Sequence, residues 1–479
     1  MIGGGLAGLS AGAALAEAGY RIKILEKRPF LGGRATSYVL PNGEHVDNCQ
    51  HITLGCCTNL ADFYRRAGAS EKLRFFDRYY FCFPGMRRGN LHSSFLPAPL
   101  HLAPSFLMFP LLDWADKRAI GRLLMLIARA AGRPSDLDST VNAVRPSFLD
   151  WLRKHGQTEA ALSRFWGPVI ASALDEQLDL TDAQYGVDVF WKAFLSNRKG
   201  FQYGIPTVAL GDLYEGCREA LEKKGGDVRF RAAVRRVEIN DGGVSGVSLE
   251  EGEPMVADHY ISTVPQSVLP DLLPSDVTAS EPVFANLSKL RTSPITGIHF
   301  WFDRQVMKEP YLALLEMTTQ WIFNKTLLSG GTGAAGTGKG QYLQLVVSAS
   351  YSLVQRSRQE IVDECLSEVR RVLPAAREAQ LVKFTVIKEP LATFSPEPGC
   401  DRWRPGSVSP IRHLFLAGDW TATGWPATME GAVRSGYLAA EAITAADGAP
   451  RKFLQPDLPL QGLSRIYAKR AGKRGQSQP

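Results

Sequence analysis

The sequence predicts an α/β fold in which a Rossmann-like parallel sheet, built from discontinuous segments, is interleaved with an α+β second domain. Three features of the 479 residues predict it. A strand–turn–helix–strand unit opens the chain: Met1-Ile2, then Gly3-Gly4-Gly5-Leu6-Ala7-Gly8, a helix to about Gly19, and a strand from Tyr20 to Leu25 ended by Glu26. A second unit lies near the other end, with a strand from Leu414 to Ala417, Gly418-Asp419 and a helix from about Ala427 to Ala446. Between them a helical pattern over 147–200 gives way to strand patterns. These cover Val228 to Arg231, Val234 to Ile239, Val244 to Leu249, Tyr260 to Thr263, Ile295 to Phe302, Trp321 to Phe323 and Gln341 to Ser350, with a helix from Arg358 to Leu373.

The switches in pattern divide the chain into six stretches. Segments 1–75, 205–270 and 395–447 build the dinucleotide sheet. Segments 76–204, mostly helical, and 271–394, strand-rich, build the second domain, and 448–479 is a basic tail. A central parallel strand supplies about five or six residues, yet only Met1 and Ile2 precede Gly3. The first strand is therefore expected to extend upstream of Met1.

Composition excludes several classes. With 45% hydrophobic and 22% charged residues the chain buries sizeable cores, which rules out a disordered or collagen-like protein. No stretch of about 20 apolar residues lacks both charge and proline, so no spanning helix is expected. No secretory signal pattern opens the sequence. The seven cysteines show no Cys-x-x-Cys spacing and no His pair has zinc spacing, so reduced, buried thiols in a cytoplasmic protein are expected, and no metal. Of the net charge of +7, Arg465, Lys469, Arg470, Lys473 and Arg474 supply +5 without a nearby acid. The remaining body is near neutral, which argues against nucleic-acid binding. The tail suits an anionic membrane surface, or simply a solvated terminus. The segment 96–112 is apolar and rich in proline, and a basic amphipathic helix follows it.

The motifs carry the chemistry. In Gly3-x-Gly5-x-x-Gly8, Gly3 permits the tight turn, Gly5 lets a pyrophosphate approach the backbone, and Gly8 lets the helix pack on the sheet. The helix start at Leu6 and Ala7 attracts phosphate. Glu26, followed by Lys27, closes the next strand and suits a ribose. Gly32-Gly33-Arg34 suits a second close backbone approach with a cation near phosphate. At the far end, Gly418-Asp419 and the helix start around Met429, Glu430 and Ala432 can face the edge of a flavin ring. Other matches fail on context. Ser10 of Gly8-Leu9-Ser10-Ala11-Gly12 lies inside a helix rather than on a nucleophile elbow, Gly333 to Lys339 lacks the Ser or Thr of a P-loop, and nothing around Cys400 supports a covalent flavin link.

Together these blocks resemble the FAD-dependent amine oxidase and phytoene desaturase superfamily. The resemblance implies FAD as cofactor and places the backbone of Val234, in "AAVRRVEI", against the adenine. A narrower resemblance rests on "RFWGPVIASALDE", "GIPTVALGDLYEGC" and "GDWTATGWPATMEGAVRSG", which look like the squalene-associated branch, the hydroxysqualene dehydroxylases. It departs at the 329–340 Gly/Thr loop and at Asp175, where Asn is expected.

That branch implies reductive dehydroxylation of a C30 isoprenoid alcohol, with hydride delivered from reduced FAD. The leaving hydroxyl needs a general acid, and Asp175, Glu176, His51 and Asp47 are the candidates. Asp175-Glu176 reads equally as a helix surface, and His51 as a structural histidine. Trp425 is the expected flavin-facing wall, with Trp166, Trp191 and Trp420 as further cavity walls or plain core. The implied partners are the isoprenoid alcohol, upstream squalene-pathway enzymes and the inner face of the cell membrane. Two rivals remain open: desaturation of a carotenoid-type polyene, and a non-catalytic flavoprotein that carries isoprenoids.

Overall fold

The computed structural model describes residues 1–41, 43–85, 87–137, 144–329 and 340–475. The Gly333 to Lys339 segment lies outside them. The strands Lys23–Leu25 and Asp227–Arg229 pair in parallel, as do Tyr260–Ser262 and Leu414–Leu416. Ile2 bridges Leu25 on one side and Ser262 on the other, also in parallel. Three sequence-distant segments therefore form one parallel sheet, with Ile2 in the place of a central strand.

The helix Leu6–Glu17 follows the first glycine turn and is buried on nearly every side. It is sandwiched, which explains its alanine-rich circumference. Its outer neighbour is the long helix Met429–Ala446, and a Cβ at Gly436 would collide with Ser10 Oγ and the Ala7 carbonyl. Glycine at 436 sets how closely these helices approach.

The second sheet has seven strands, in the order Leu381–Phe394, Thr292–Phe302, Gln341–Ser348, Trp321–Asn324, Tyr311–Leu314, Arg78–Phe83, Arg87–His92. Neighbours are antiparallel except Tyr311–Leu314 with Arg78–Phe83. Four of its members are absent from the sequence reading: Arg78–Phe83, Arg87–His92, Tyr311–Leu314 and Leu381–Phe394. The hairpin 78–92 carries arginines that mask its alternation, and Leu381–Phe394 is an edge strand holding Lys383, Lys388 and Pro390. Edge positions tolerate both charge and proline.

Helices pack on both faces of this sheet: Arg358–Val372 shares a core with Ile298, Phe300 and Ile322, and the helical layer carrying Phe194 shares one with Tyr79, Trp321 and Phe323. The basic amphipathic helix is Trp114–Arg129, opened by a capping box between Asp113 and Asp116. Two π-helical stretches, Leu162–Trp166 and Phe190–Leu195, interrupt the layer behind it. The tail forms a helix, Gly462–Gly475, fixed where Leu463 N–H donates to the Ala98 carbonyl (3.0 Å) and Ser464 Oγ donates to the Leu195 carbonyl (2.7 Å). All seven cysteines are free thiols.

Candidate active site

The cofactor end is built from backbone. Gly3 has φ +109°, and a Cβ on Gly8 would strike the Gly3 carbonyl, so both positions need glycine. Gly5 and Gly33 face each other with only Cα atoms between them. The helix Leu6–Glu17 has no side-chain cap and no acid in its first turn, which leaves its amides and positive dipole end for an anion. Glu26 is buried beside this turn and accepts hydrogen bonds from Gly4 N–H (2.7 Å) and Arg28 N–H (2.8 Å). Each oxygen keeps a second acceptor position suited to ribose hydroxyls. Lys27, next to it, is exposed. Val234 begins the strand Val234–Asn240, partly buried, at a register shift.

The third segment closes the cradle. Arg34 forms an ion pair with Asp419 and donates to the Ala392 carbonyl (2.8 Å). Gly418 N–H donates to Ser435 Oγ (2.7 Å), which ties the strand end to the helix Met429–Ala446. That helix is capped by Thr428, which accepts from Gly431 N–H (3.0 Å). Ala432 sits one turn in, partly buried, its N–H on the Thr428 carbonyl (2.9 Å). Glu430 is fully buried, and its carboxylate accepts from the amides of Asn59 and Leu60 and from Arg434. It thereby caps the helix Thr58–Arg66. The uncapped glycine turn, the Gly5–Gly33 approach and the acid on the ribose side together fit FAD.

Sequence reasoning passes over Arg404. Its guanidinium is buried and donates to the carbonyls of Trp420 (3.3 Å), Asp419 (3.1 Å), Thr421 and Trp425 (2.8 Å), and to Tyr185 Oη. One side chain thus holds the whole loop between Asp419 and Trp425. No motif marks it, because its partners are carbonyl groups, which any sequence supplies.

An apolar cavity of about 370 Å³ starts at Thr428, Met429 and Glu430. Phe165, Phe190, Phe194, Tyr203 and Trp321 wall its middle. The two π-helical stretches supply three of these rings; π-bulges recur at functional sites. Of the described lining residues only Leu107 and Gly121 are exposed, which places the mouth between the helices Ala103–Leu107 and Trp114–Arg129.

The four residues expected to do catalysis lie off this cavity. Asp175 ends the helix Gly167–Leu174 in the left-handed region (φ +54°). Its carboxyl accepts from Ala349 N–H (2.8 Å) and Thr393 Oγ1 (3.1 Å), and burial pushes its pKa well above the usual carboxylate range. Glu176 accepts from Tyr351 Oη (2.8 Å) and Ser395 Oγ (2.6 Å). The pair ties a helix end to the second sheet, a connection no local pattern shows. His51 contacts Asn48 Oδ1 (3.1 Å), and burial lowers its pKa to about 4, so the ring is neutral at physiological pH. Burial would raise the pKa of Asp47, but the Lys325 ammonium (2.8 Å) and hydrogen bonds from Leu210 N–H and Ser37 Oγ hold it below the ordinary value.

Trp425 borders a separate polar cleft of about 200 Å³, with Arg133, Asp188 and Asp457. Its indole lies between Lys192 Nζ (4.5 Å) and the Arg434 guanidinium (4.7 Å). Trp191 borders the same cleft, and Trp166 and Trp420 are core, bonded through Nε1 to Gln157 Oε1 (2.8 Å) and the Val264 carbonyl (3.0 Å). The tryptophan that does wall the cavity is Trp321, whose Nε1 donates to Ser172 Oγ (2.7 Å). Its only signal was a short strand pattern.

His299 gives a pH test. It is fully buried, its Nδ1 meets Tyr342 Oη (2.7 Å), and burial lowers its pKa from 6.5 to about 3. Between those values the unfolded chain binds the proton and the folded one does not. Stability therefore drops as pH falls from 6.5 toward 3, by about 1.4 kcal/mol per pH unit for this group. His299→Gln should lose that dependence, so its stability relative to wild type should improve from about pH 7 to about pH 5 in denaturant titrations. A pH-independent difference would refute this account.

Comparison with known proteins agrees with the cradle. The family described as flavin containing amine oxidoreductase matches residues 6–444. The chain is 29% identical over 467 residues to a 15-cis-phytoene desaturase of Solanum lycopersicum, covering 92% of this chain and 76% of that one. It is 26% identical to a zeta-carotene desaturase of Synechocystis, covering 93% and 96%. An oxidoreductase structure from Methanosarcina mazei aligns with a TM-score of 0.70 at 17% identity, covering 93% and 99%. The cyclohexylamine oxidase of Brevibacterium oxydans gives a TM-score of 0.66 at 17% identity, covering 93% and 98%. Both curated relatives are carotenoid desaturases by name, whereas the sequence motifs pointed to the squalene-associated branch.

Proposed function

The chain belongs to the flavin containing amine oxidoreductase family and is an FAD-dependent oxidoreductase; from that premise we propose that it desaturates a long polyene of carotenoid type. The observation that carries this reading is the apolar cavity, which leads from the helix start at Thr428–Glu430 to a mouth at Leu107 and Gly121. When bound, FAD supplies two-electron hydride chemistry. The protein's part is to thread the chain, hold one bond near the helix start and exclude water. An amine substrate fits poorly, because Glu430, the only carboxylate among the described lining residues, is already held by Asn59, Leu60 and Arg434. Dehydroxylation needs a proton donor for the leaving oxygen, and the carboxyl groups Asp175 and Glu176 lie off the cavity. The desaturase names of the two relatives support the same direction.

One observation favours a second reading, in which the substrate is an allylic isoprenoid alcohol. Tyr203 lines the cavity, its hydroxyl has no hydrogen-bond partner among the described residues, and burial keeps it protonated. Such a hydroxyl can bond a substrate oxygen.

Anaerobic single turnovers separate the two. Oxidised holoenzyme mixed with a phytoene-type polyene in detergent should lose its flavin absorbance and yield a product lighter by two hydrogens. If instead only reduced holoenzyme reacts, and only with the allylic alcohol, the desaturase reading fails. Tyr203→Phe should slow the reaction if the alcohol is the substrate, and should leave turnover unchanged if the polyene is.

A further inference from the structure

We propose that the outer edge of the seven-stranded sheet pairs with the same edge of a second copy of this chain, antiparallel and centred on Val386. The edge strand Leu381–Phe394 has 14 residues and is the longest strand among the described residues. It pairs with Thr292–Phe302 on one side and has no strand neighbour on the other among the described residues. Its outer amides and carbonyl groups therefore form a template for another strand. Val382 (60% exposed), Leu391 (59%) and Phe384 (40%) stand in solvent along it. A long, partly apolar edge favours association, and chains that stay single blunt such edges with charge, proline or bulges.

Those devices are present here, but their positions leave a flat centre. The register against Thr292–Phe302 shifts between Ser293 and Ile295 and again between Trp301 and Phe302. Between the shifts, Lys383 to Glu389 pair residue for residue with Trp301 to Ile295. Pro390 lies just outside, in the first irregularity, where regular pairing has already ended. Beyond it the Ala392 carbonyl is taken by Arg34 Nη1 (2.8 Å). Another strand can therefore join only along Lys383 to Glu389. When this stretch pairs antiparallel with its own copy, Val386 meets Val386 on a two-fold axis, and the contact closes on itself. Lys383 then faces Glu389 at both ends, and Phe384 faces the aliphatic stem of Lys388. Val382 of one copy and Leu391 of the other come to the same end of the joint. Charge selects the second copy as occupant, because the register that fills the flat stretch also sets each terminal cation opposite a carboxylate. Lys383 already meets Glu44 (2.6 Å) and Glu389 meets Tyr38 Oη (3.1 Å). An ammonium has three donors and a carboxylate two acceptor oxygens, so both can take the new partner as well.

Sedimentation velocity of full-length holoenzyme over a dilution series tests the pairing without any turnover. Wild type is expected to form a reversible dimer. Lys383→Glu and Glu389→Lys each set like charges opposite one another at both ends, and each should weaken association roughly tenfold. Mixed in equal amounts, the two variants again oppose unlike charges across the axis and should form a heterodimer. A chain carrying both substitutions should dimerise like wild type. Flavin absorbance and melting temperature of each single variant confirm its fold, and mixing would not rescue a misfolded one. A wild type that is monomeric at every concentration overturns the proposal, and so would an edge that serves a strand of another protein. A dimer left intact by both single variants overturns it too, as do folded variants that mixing fails to rescue.

Discussion

Arg404→Met is expected to release FAD and to lower stability by about 3–5 kcal/mol, the range for removing one partner of a buried charged network. The guanidinium holds the carbonyls of Asp419, Trp420, Thr421 and Trp425, and methionine leaves all four without their donor. Asp419 is also the partner of Arg34, so loss of the loop loosens the link between the first and third segments. Arg404→Lys keeps the charge but has no planar fork to reach several carbonyls at once, and should fall between wild type and Arg404→Met. The flavin-to-protein absorbance ratio after gel filtration, with denaturant unfolding of each variant, measures both effects. Wild-type FAD content in a folded Arg404→Met protein would show that the loop holds itself.

Gly121→Trp is expected to block long substrates while preserving the fold and the cofactor. Gly121 lines the mouth, and a Cβ there meets nothing within 4 Å, so a larger side chain enters open space. Replacing a mid-helix glycine gains about 0.5–1 kcal/mol, which protects the variant from simple misfolding. With the mouth obstructed, kcat/KM for a C30 or C40 chain should fall at least tenfold, about 1.4 kcal/mol. Gly121→Ala should match wild type in turnover and melt slightly higher. Full activity of Gly121→Trp would mean that substrate enters elsewhere.

The glycine turns were legible because their constraint is local. Gly3 and Gly8 are required by a positive φ and by a backbone contact five residues away, and any strand–turn–helix of this kind repeats it. The α/β architecture was legible for a related reason: helix and strand periods alternate along the chain. Asp175 and Glu176 were misread in place rather than in character. Both are buried acids, but their partners, Ala349, Thr393, Tyr351 and Ser395, lie more than 170 residues away. The edge strand Leu381–Phe394 was passed over because an edge tolerates the lysines and the proline that hide a strand pattern.

The dinucleotide turn, the order of the three segments that build the parallel sheet, and the basic and apolar character of 96–129 and the tail could all be read from the unfolded chain. Each is a property of neighbouring residues: a spacing, a period or a charge count. It took the folded molecule to show that Trp321 rather than Trp425 walls the cavity, that Arg404 holds the loop after Gly418, and that Leu107 and Gly121 are the exposed residues of the cavity lining. Those are facts about distance between residues remote in the chain, set by how helices pack on the second sheet. No local pattern encodes them.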